Sequence, residues 1–446
     1  MGEADRAAMQ ERAVEGDAAH AALPALARVA PGLFYGWWVA IGACLISFVC
    51  AGVGFYSQGV LLDALCHDRG WSRASVSGAT SVYFIVSGPI GLGVGRGVDR
   101  FGPRGFIALG APLLAVALVG IGQTGSPAAL YGWALAMALG ASLAGAVPTT
   151  AIVTRWFSEL RARAMTVSQT GVSIGGILLV PLSTWLIRER GLPVATELLA
   201  ALVVAIALPV TAFVLRASPQ PYGLEVDGPA RARARAASGV PFVDVSFRTR
   251  EALRTRAFWG LALGFGLGLF AQVGFLAHQL AGLRERLEPA DAAFAVSTTA
   301  FGSVVGRLVL GPMADRLEKR RIAIGLFLVQ ACATLFFARA SGGLALGAAS
   351  FAFGLTMGNI FMLQPLLVGE FFGVSSFASV LGSLQVLTQL ATGLGPFAVG
   401  LAFERAGGYE RPLEGLAGVA LCAALVLSRV RAPEPPSQYA VSPASR

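Results

Sequence analysis

Arg307 is the residue in this sequence whose chemistry is hardest to reconcile with its surroundings. It is the one charge within an apolar, helix-length stretch, Ala300 to Arg321, that ends in a block of charges. The nearest flanking carboxylates are Asp291 and Asp315, and the 24 residues between them make about 36 Å of helix. That is long enough to cross a bilayer. Arg307 lies eight residues before Asp315, or about 12 Å, so its backbone is about 6 Å from the middle. An arginine near the centre of a lipid-exposed helix costs roughly 3 kcal/mol, so such residues usually face a bundle interior or a wet cavity and mark a substrate path. A guanidinium is always charged and presents a planar fork that matches a carboxylate. The chemistry expected at Arg307 is therefore the binding of an anion. The competing account has Arg307 pairing with a neighbouring helix or snorkelling to the nearer surface. Against it, no carboxylate lies well inside any apolar run, and an arginine side chain is shorter than the roughly 12 Å to the level of Asp315.

Other polar residues inside the apolar runs are candidate ligands: Tyr56, Gln272, Asn359, Gln385 and Gln389, with Gln58 and Gln364 as further members. Each can hydrogen-bond a carboxylate or hydroxyl, and each can equally serve as an interhelical hydrogen bond. His278 is the proton-coupling candidate because an unperturbed imidazole titrates near neutrality; a solvated histidine at a helix end is the alternative. No cofactor or metal is expected. The five cysteines, Cys44, Cys50, Cys66, Cys332 and Cys422, follow no ligand spacing or disulfide framework. No G-x-x-x-x-G-K-[ST] phosphate loop occurs. Three histidines and no intramembrane acid leave no catalytic set, so an enzyme is not expected.

The elements that must hold these residues follow from composition. Of 446 residues, 55% are hydrophobic and only 13% charged, with a mean hydropathy of +0.68; soluble domains carry about 25% charged residues. Apolar runs long enough to span a membrane are read at 34–62, 73–95, 105–123, 127–154, 163–187, 195–215, 257–283, 292–313, 322–340, 343–369, 375–403 and 414–430. The expected fold is thus an all-α integral membrane protein of twelve transmembrane helices in two six-helix bundles. Alternate connections are rich in arginine, such as Arg100 and Arg104, Arg161 and Arg163, Arg231 to Arg256, and Arg316 to Arg321, whereas arginines in the others are mixed with acids. The positive-inside rule then puts both termini in the cytoplasm of an inner-membrane protein. The net charge of +9 is mostly this topology signal, and no nucleic-acid-binding module accompanies it.

Five segments are expected: a cytoplasmic tail at 1–32, a first bundle at 33–216, a flexible linker at 217–256, a second bundle at 257–431 and a tail at 432–446. The linker carries prolines and an Arg-Ala run, with a short amphipathic helix expected near Phe247 to Arg256. The halves echo each other. Gly95, Asp99, Arg100 and Arg104 match Gly311, Asp315, Arg316 and Arg320 at one offset of 216 residues. Such repeats suggest two bundles around a midplane site.

The stretch Gly93 to Gly105, GVGRGVDRFGPRG, resembles the loop motif G-x-x-x-D-R-x-G-x-R of the major facilitator superfamily. Three further stretches are similar to the monocarboxylate transporter family and its bacterial oxalate/formate exchanger relatives. They are Tyr35 to Ala43 (YGWWVAIGA), Arg155 to Gly176 (RWFSELRARAMTVSQTGVSIGG) and the eighth span with Arg307. The resemblance implies that Arg307 is the substrate-binding arginine. Proton-coupled members carry an aspartate one turn earlier, where this chain has Ser303, and a lysine in the first span, where it offers Phe55 or Tyr56. The exchangers carry a second basic residue in the eleventh span, where it has Gln385 and Gln389. Asp99, Arg100, Arg104, Asp315 and Arg316 are then gating candidates, breaking and reforming contacts as the bundles rock; the same arginines also serve to set topology.

The leading expectation is a secondary or facilitative carrier, monomeric, for a small organic anion, first of all a monocarboxylate, with protons as a candidate co-substrate. An exporter of amphipathic compounds and a non-transporting sensor on the same fold are the alternatives.

Overall fold

In lipid, a single segment satisfies all its backbone polar groups internally only as a helix, and the long apolar runs here are helical. The structure, a computed structural model, describes residues 28–229 apart from 29 and 31, and 246–434 apart from 315. Most of the two expected tails, the Arg-Ala run from Arg231 to Ala236, and Asp315 lie outside the described residues.

The first crossing is built from α1 (Gly36–Ala51), a π-helical turn (Gly52–Tyr56) and α2 (Gln58–Arg69). Next come α3 (Arg73–Phe101), α4 (Pro103–Gln123), and the fourth crossing, made of α5 (Pro127–Ala144) and α6 (Ala146–Trp156). After them runs α7 (Arg161–Pro209). A short α8 (Thr249–Arg254) stands where the amphipathic helix was expected. It precedes α9 (Arg256–Arg284), α10 (Pro289–Ala314), α11 (Lys319–Arg339), α12 (Gly343–Phe372), α13 (Phe377–Ala406) and α14 (Glu410–Arg429).

Ten continuous stretches among the described residues are long and apolar enough to cross a membrane, and two features bring these to the twelve crossings of the sequence reading. The stretch Arg161–Val214 is 54 residues long and turns back on itself at Gly191, whose φ of 77° lies outside the helical region. Only glycine enters that region without a Cβ penalty. The other feature is α10, 26 residues long, with a described apolar core of Phe294–Leu310.

The two halves pack by one scheme. In the first, the first crossing packs on the fifth, α3 on α5, and α4 on the sixth; in the second, α9 packs on α13, α10 on α12, and α11 on α14. Two seams join them: α3 against α13, and the first part of α7 against α10. The α3–α13 seam brings backbones together, since a Cβ at Gly95 would overlap the Ala378 carbonyl and one at Gly382 would meet that of Gly91. The tail-side end of the first half is tied off by Tyr35, whose hydroxyl donates to the Val214 carbonyl at 2.7 Å.

The linker expected to be flexible is docked at both described ends. The Asp227 carboxylate accepts the backbone N–H groups of Ser158, Glu159 and Leu160 at 2.9–3.1 Å, capping the start of the fifth crossing. At the other end the Ser246 hydroxyl accepts from the N–H groups of Val374 and Ser375, and the Phe247 N–H donates to the Phe372 carbonyl. Composition marks such a segment as loop, but capping supplies it with partners.

Candidate functional site

The central site is assembled around α10. That helix lies close to α12 because glycines face each other's backbones: Gly302 and Gly306 meet the carbonyls of Phe351 and Leu355, and Gly354 meets that of Thr299. This intimacy seats the Arg307 side chain, 5% exposed, directly over Gly358, where any Cβ would overlap the guanidinium. From there Arg307 reaches across the seam to the first half. Its Nη1 donates to the Gln169 carbonyl at 2.8 Å and to the Ser173 hydroxyl at 2.7 Å. Its Nε is buried without a hydrogen-bond partner among the described residues, and both groups that hold Nη1 are neutral.

Arg307 lines a cavity of about 220 Å³ between the halves, bounded by the first, second, fourth and fifth crossings on one side and by α9, α10, α12 and α13 on the other. Among its described lining residues Arg307 is the one charged side chain. A buried charge without a counter-charge is costly, so this cavity favours an anion.

The π-helical turn in the first crossing delivers Phe55 and Tyr56 to the cavity wall. Its register is held by the Ser57 N–H and hydroxyl, both donating to the Gly52 carbonyl at 3.0 and 2.8 Å, and by contact between the hydroxyls of Ser57 and Ser183. The Tyr56 ring rests on Gly176, close to where a Cβ would stand. π-turns of this kind occur frequently at functional sites.

Of the sequence candidates, Arg307, Tyr56, Gln364, Gln385 and Gln389 line this one cavity, and Gln58 does not. Asn359, Gln272 and His278 lie elsewhere. Asn359 is fully buried against Gly306 on the α10–α12 contact, its Nδ2 donating to the Leu355 carbonyl and its Oδ1 without a partner among the described residues. Gln272 is fully buried in α9, with both amide atoms lacking a partner among the described residues. His278 pairs with the Tyr409 hydroxyl at 3.1 Å and the Pro396 carbonyl at 3.0 Å.

The gating candidates also separate. Asp99 spans the α3–α13 seam, its carboxylate accepting the N–H groups of Ala378 at 3.1 Å and Ser379 at 2.7 Å. Arg100 and Arg316 are exposed, Arg100 lying over the Phe101 ring. Arg104 stays within its half and donates to the Thr211 and Ala212 carbonyls at the end of the sixth crossing. The residues that sequence reasoning missed are Gln169 and Ser173, which hold the guanidinium, and Phe361 on the wall.

This geometry, a charged cavity between two similarly packed six-helix halves, agrees with the comparisons. The profile of the Major Facilitator Superfamily matches residues 44–396 and again 275–445. The chain belongs to this superfamily. It is 26% identical over 402 residues to an MFS-type transporter of Gibberella moniliformis, covering 89% of each chain. It is also 26% identical to monocarboxylate transporter 13 of Bos taurus, over 84% of each. Among solved structures, the fucose transporter FucP in the outward conformation superposes with a TM-score of 0.67 at 14% identity, over 88% of this chain and 99% of that one. As a member of this superfamily the chain is a multi-pass membrane transporter, not an enzyme.

Proposed function

We propose that the chain carries a small organic anion, first of all a monocarboxylate, across the membrane by alternating access, with Arg307 holding the carboxylate. The observation that carries this reading is a buried guanidinium in the cavity between the halves whose Nη1 partners are both neutral. Tyr56, Gln385 and Gln389, on the same cavity, complete the ligand set. The similarity to monocarboxylate transporter 13 supports the cargo class. The end carrying the Asp99 contact is the cytoplasmic one by the arginine distribution, and the seam closed there corresponds to an outward-facing or occluded state.

Coupling follows the cavity chemistry. Its described titratable side chains, besides the guanidinium, are phenols and a thiol, whose ordinary pKa values lie above about 8. Exchange or facilitated transport of the anion without obligatory proton movement is therefore the mode we assign.

The test is heat denaturation of purified protein with a panel of carboxylates, native chain against Arg307→Ala. Ligand at 100 times its Kd adds about 2.7 kcal/mol of stability, and the expected result is such a shift in the native protein alone. Equal stabilisation of both proteins by every active acid removes Arg307 from the site. Counterflow in liposomes with and without a pH gradient then reads the coupling, with equal rates expected.

A further inference from the structure

We infer that the cavity selects one carboxylate borne on an apolar, ring-sized body, and discriminates against dicarboxylates and one- to three-carbon acids. The inference rests on the reading of Arg307 as carboxylate ligand and narrows it from the rest of the wall.

Charge sets the first limit. With Arg307 the single charged lining residue among those described, one carboxylate neutralises the cavity. A second would sit desolvated without a counter-charge, at large cost. The guanidinium, moreover, has two of its donor directions committed to Gln169 and Ser173, so it offers one anion site.

The wall sets the second limit. The cavity wall also carries Phe55, Tyr83, Met357 and Phe361. Phe55 belongs to an edge-to-face cluster, its ring centroid 4.9 Å from that of Tyr56 and 5.6 Å from that of Phe84. Rings fixed in this way present faces and edges that an aromatic or alicyclic body matches. A short acid bound to Arg307 leaves this surface wet, whereas each methylene buried against it tightens binding roughly fourfold. A cavity of about 220 Å³ has room for such a body. The amides of Gln385 and Gln389, also on the wall, show no hydrogen bond to other described groups and can take a neutral hydroxyl or carbonyl substituent.

The experiment is a calorimetric titration of the purified full-length chain with four probes: 3-phenylpropionate, propionate, succinate and the uncharged 3-phenylpropionamide. The expected result is 3-phenylpropionate at least tenfold tighter than propionate, succinate no tighter than propionate, and the amide without measurable binding. Phe55→Ala, with Phe361→Leu as a second variant should the first not fold, should reduce the tenfold preference to under threefold while propionate changes less than twofold. If propionate or succinate binds as tightly as 3-phenylpropionate, and both are lost in Arg307→Ala, the ring-sized selection is overturned and the Arg307 reading survives. If the amide binds as tightly as the acid, and Arg307→Ala alters neither, the Arg307 reading itself falls. Binding of none of the four overturns both.

Discussion

At position 358 a single methyl group would stand where the Arg307 guanidinium lies. Glycine there is what allows a long cationic side chain to fold over α12 and reach α7. Gly358→Ala is expected to push Arg307 off its contacts with Gln169 and Ser173, lowering carboxylate affinity at least tenfold. Overpacking would also lower the stability of the ligand-free protein by about 1–3 kcal/mol. Thermal denaturation with and without ligand separates the two effects; unchanged affinity in a destabilised variant would show that Gly358 serves packing alone. Arg307 was legible in the sequence because a charge within an apolar run is too costly to keep unless a cavity or a polar partner receives it. Its partners were not. Gln169 acts through its backbone carbonyl, which every residue owns, and Ser173 looks like any small residue at a helix contact. Asn359 and Gln272 passed the same polarity filter as Gln385, but they sit on helix faces turned into packed contacts, and polarity alone carries no facing information.

One scale up, the element that decides the wall is the π-helical turn at Gly52–Tyr56. The extra residue in that turn rotates everything after it relative to α1, so the ordinary 3.6-residue period cannot locate Phe55 and Tyr56 from their neighbours. The run of apolar residues from Tyr35 onward announced a span and concealed this register change. Glycines set the helix approach around this turn: Gly171 and Gly175 meet the backbone of α1, and Gly354 that of α10, as close helix approach requires. The turn itself depends on Ser57, whose hydroxyl donates to Gly52 and contacts Ser183 within a fully buried site. Ser57→Ala leaves the Ser183 hydroxyl with its bond to Leu179 but removes both Ser57 contacts. A loss of about 1–2 kcal/mol is expected. If the turn positions the wall, the variant also weakens binding of carboxylates with an apolar body more than that of propionate. An equal effect on both would confine Ser57 to stability.

For the whole molecule, hydropathy and the 216-residue repeat in the sequence were enough to read two six-helix halves, because lipid forces every crossing to be helical. The seams were harder to read, since they are made by glycine backbones and by one carboxylate capping a helix of the opposite half. Asp99 belongs to a motif that also sets topology, and only its bonds to Ala378 and Ser379 separate it from Arg100 and Arg104, which make no such crossing. A carboxylate at a helix N-terminus contributes about 0.3–1 kcal/mol when exposed and up to about 2 in partly buried geometry, and Asp99 is partly buried. Asp99→Asn keeps an acceptor and removes the charge. It should therefore move the balance between closed and open forms at this end by roughly 5- to 30-fold toward open. Spin labels at Phe101 and Leu317, exposed positions on opposite halves at this end, can be placed in a chain whose five cysteines are replaced. Their distance distribution should gain a longer component in Asp99→Asn and keep its native form in Arg100→Gln, which leaves the seam untouched. Identical distributions in all three proteins would mean that the α3–α13 backbone contact, with Gly95 and Gly382 at its centre, holds the end closed without help from the charge.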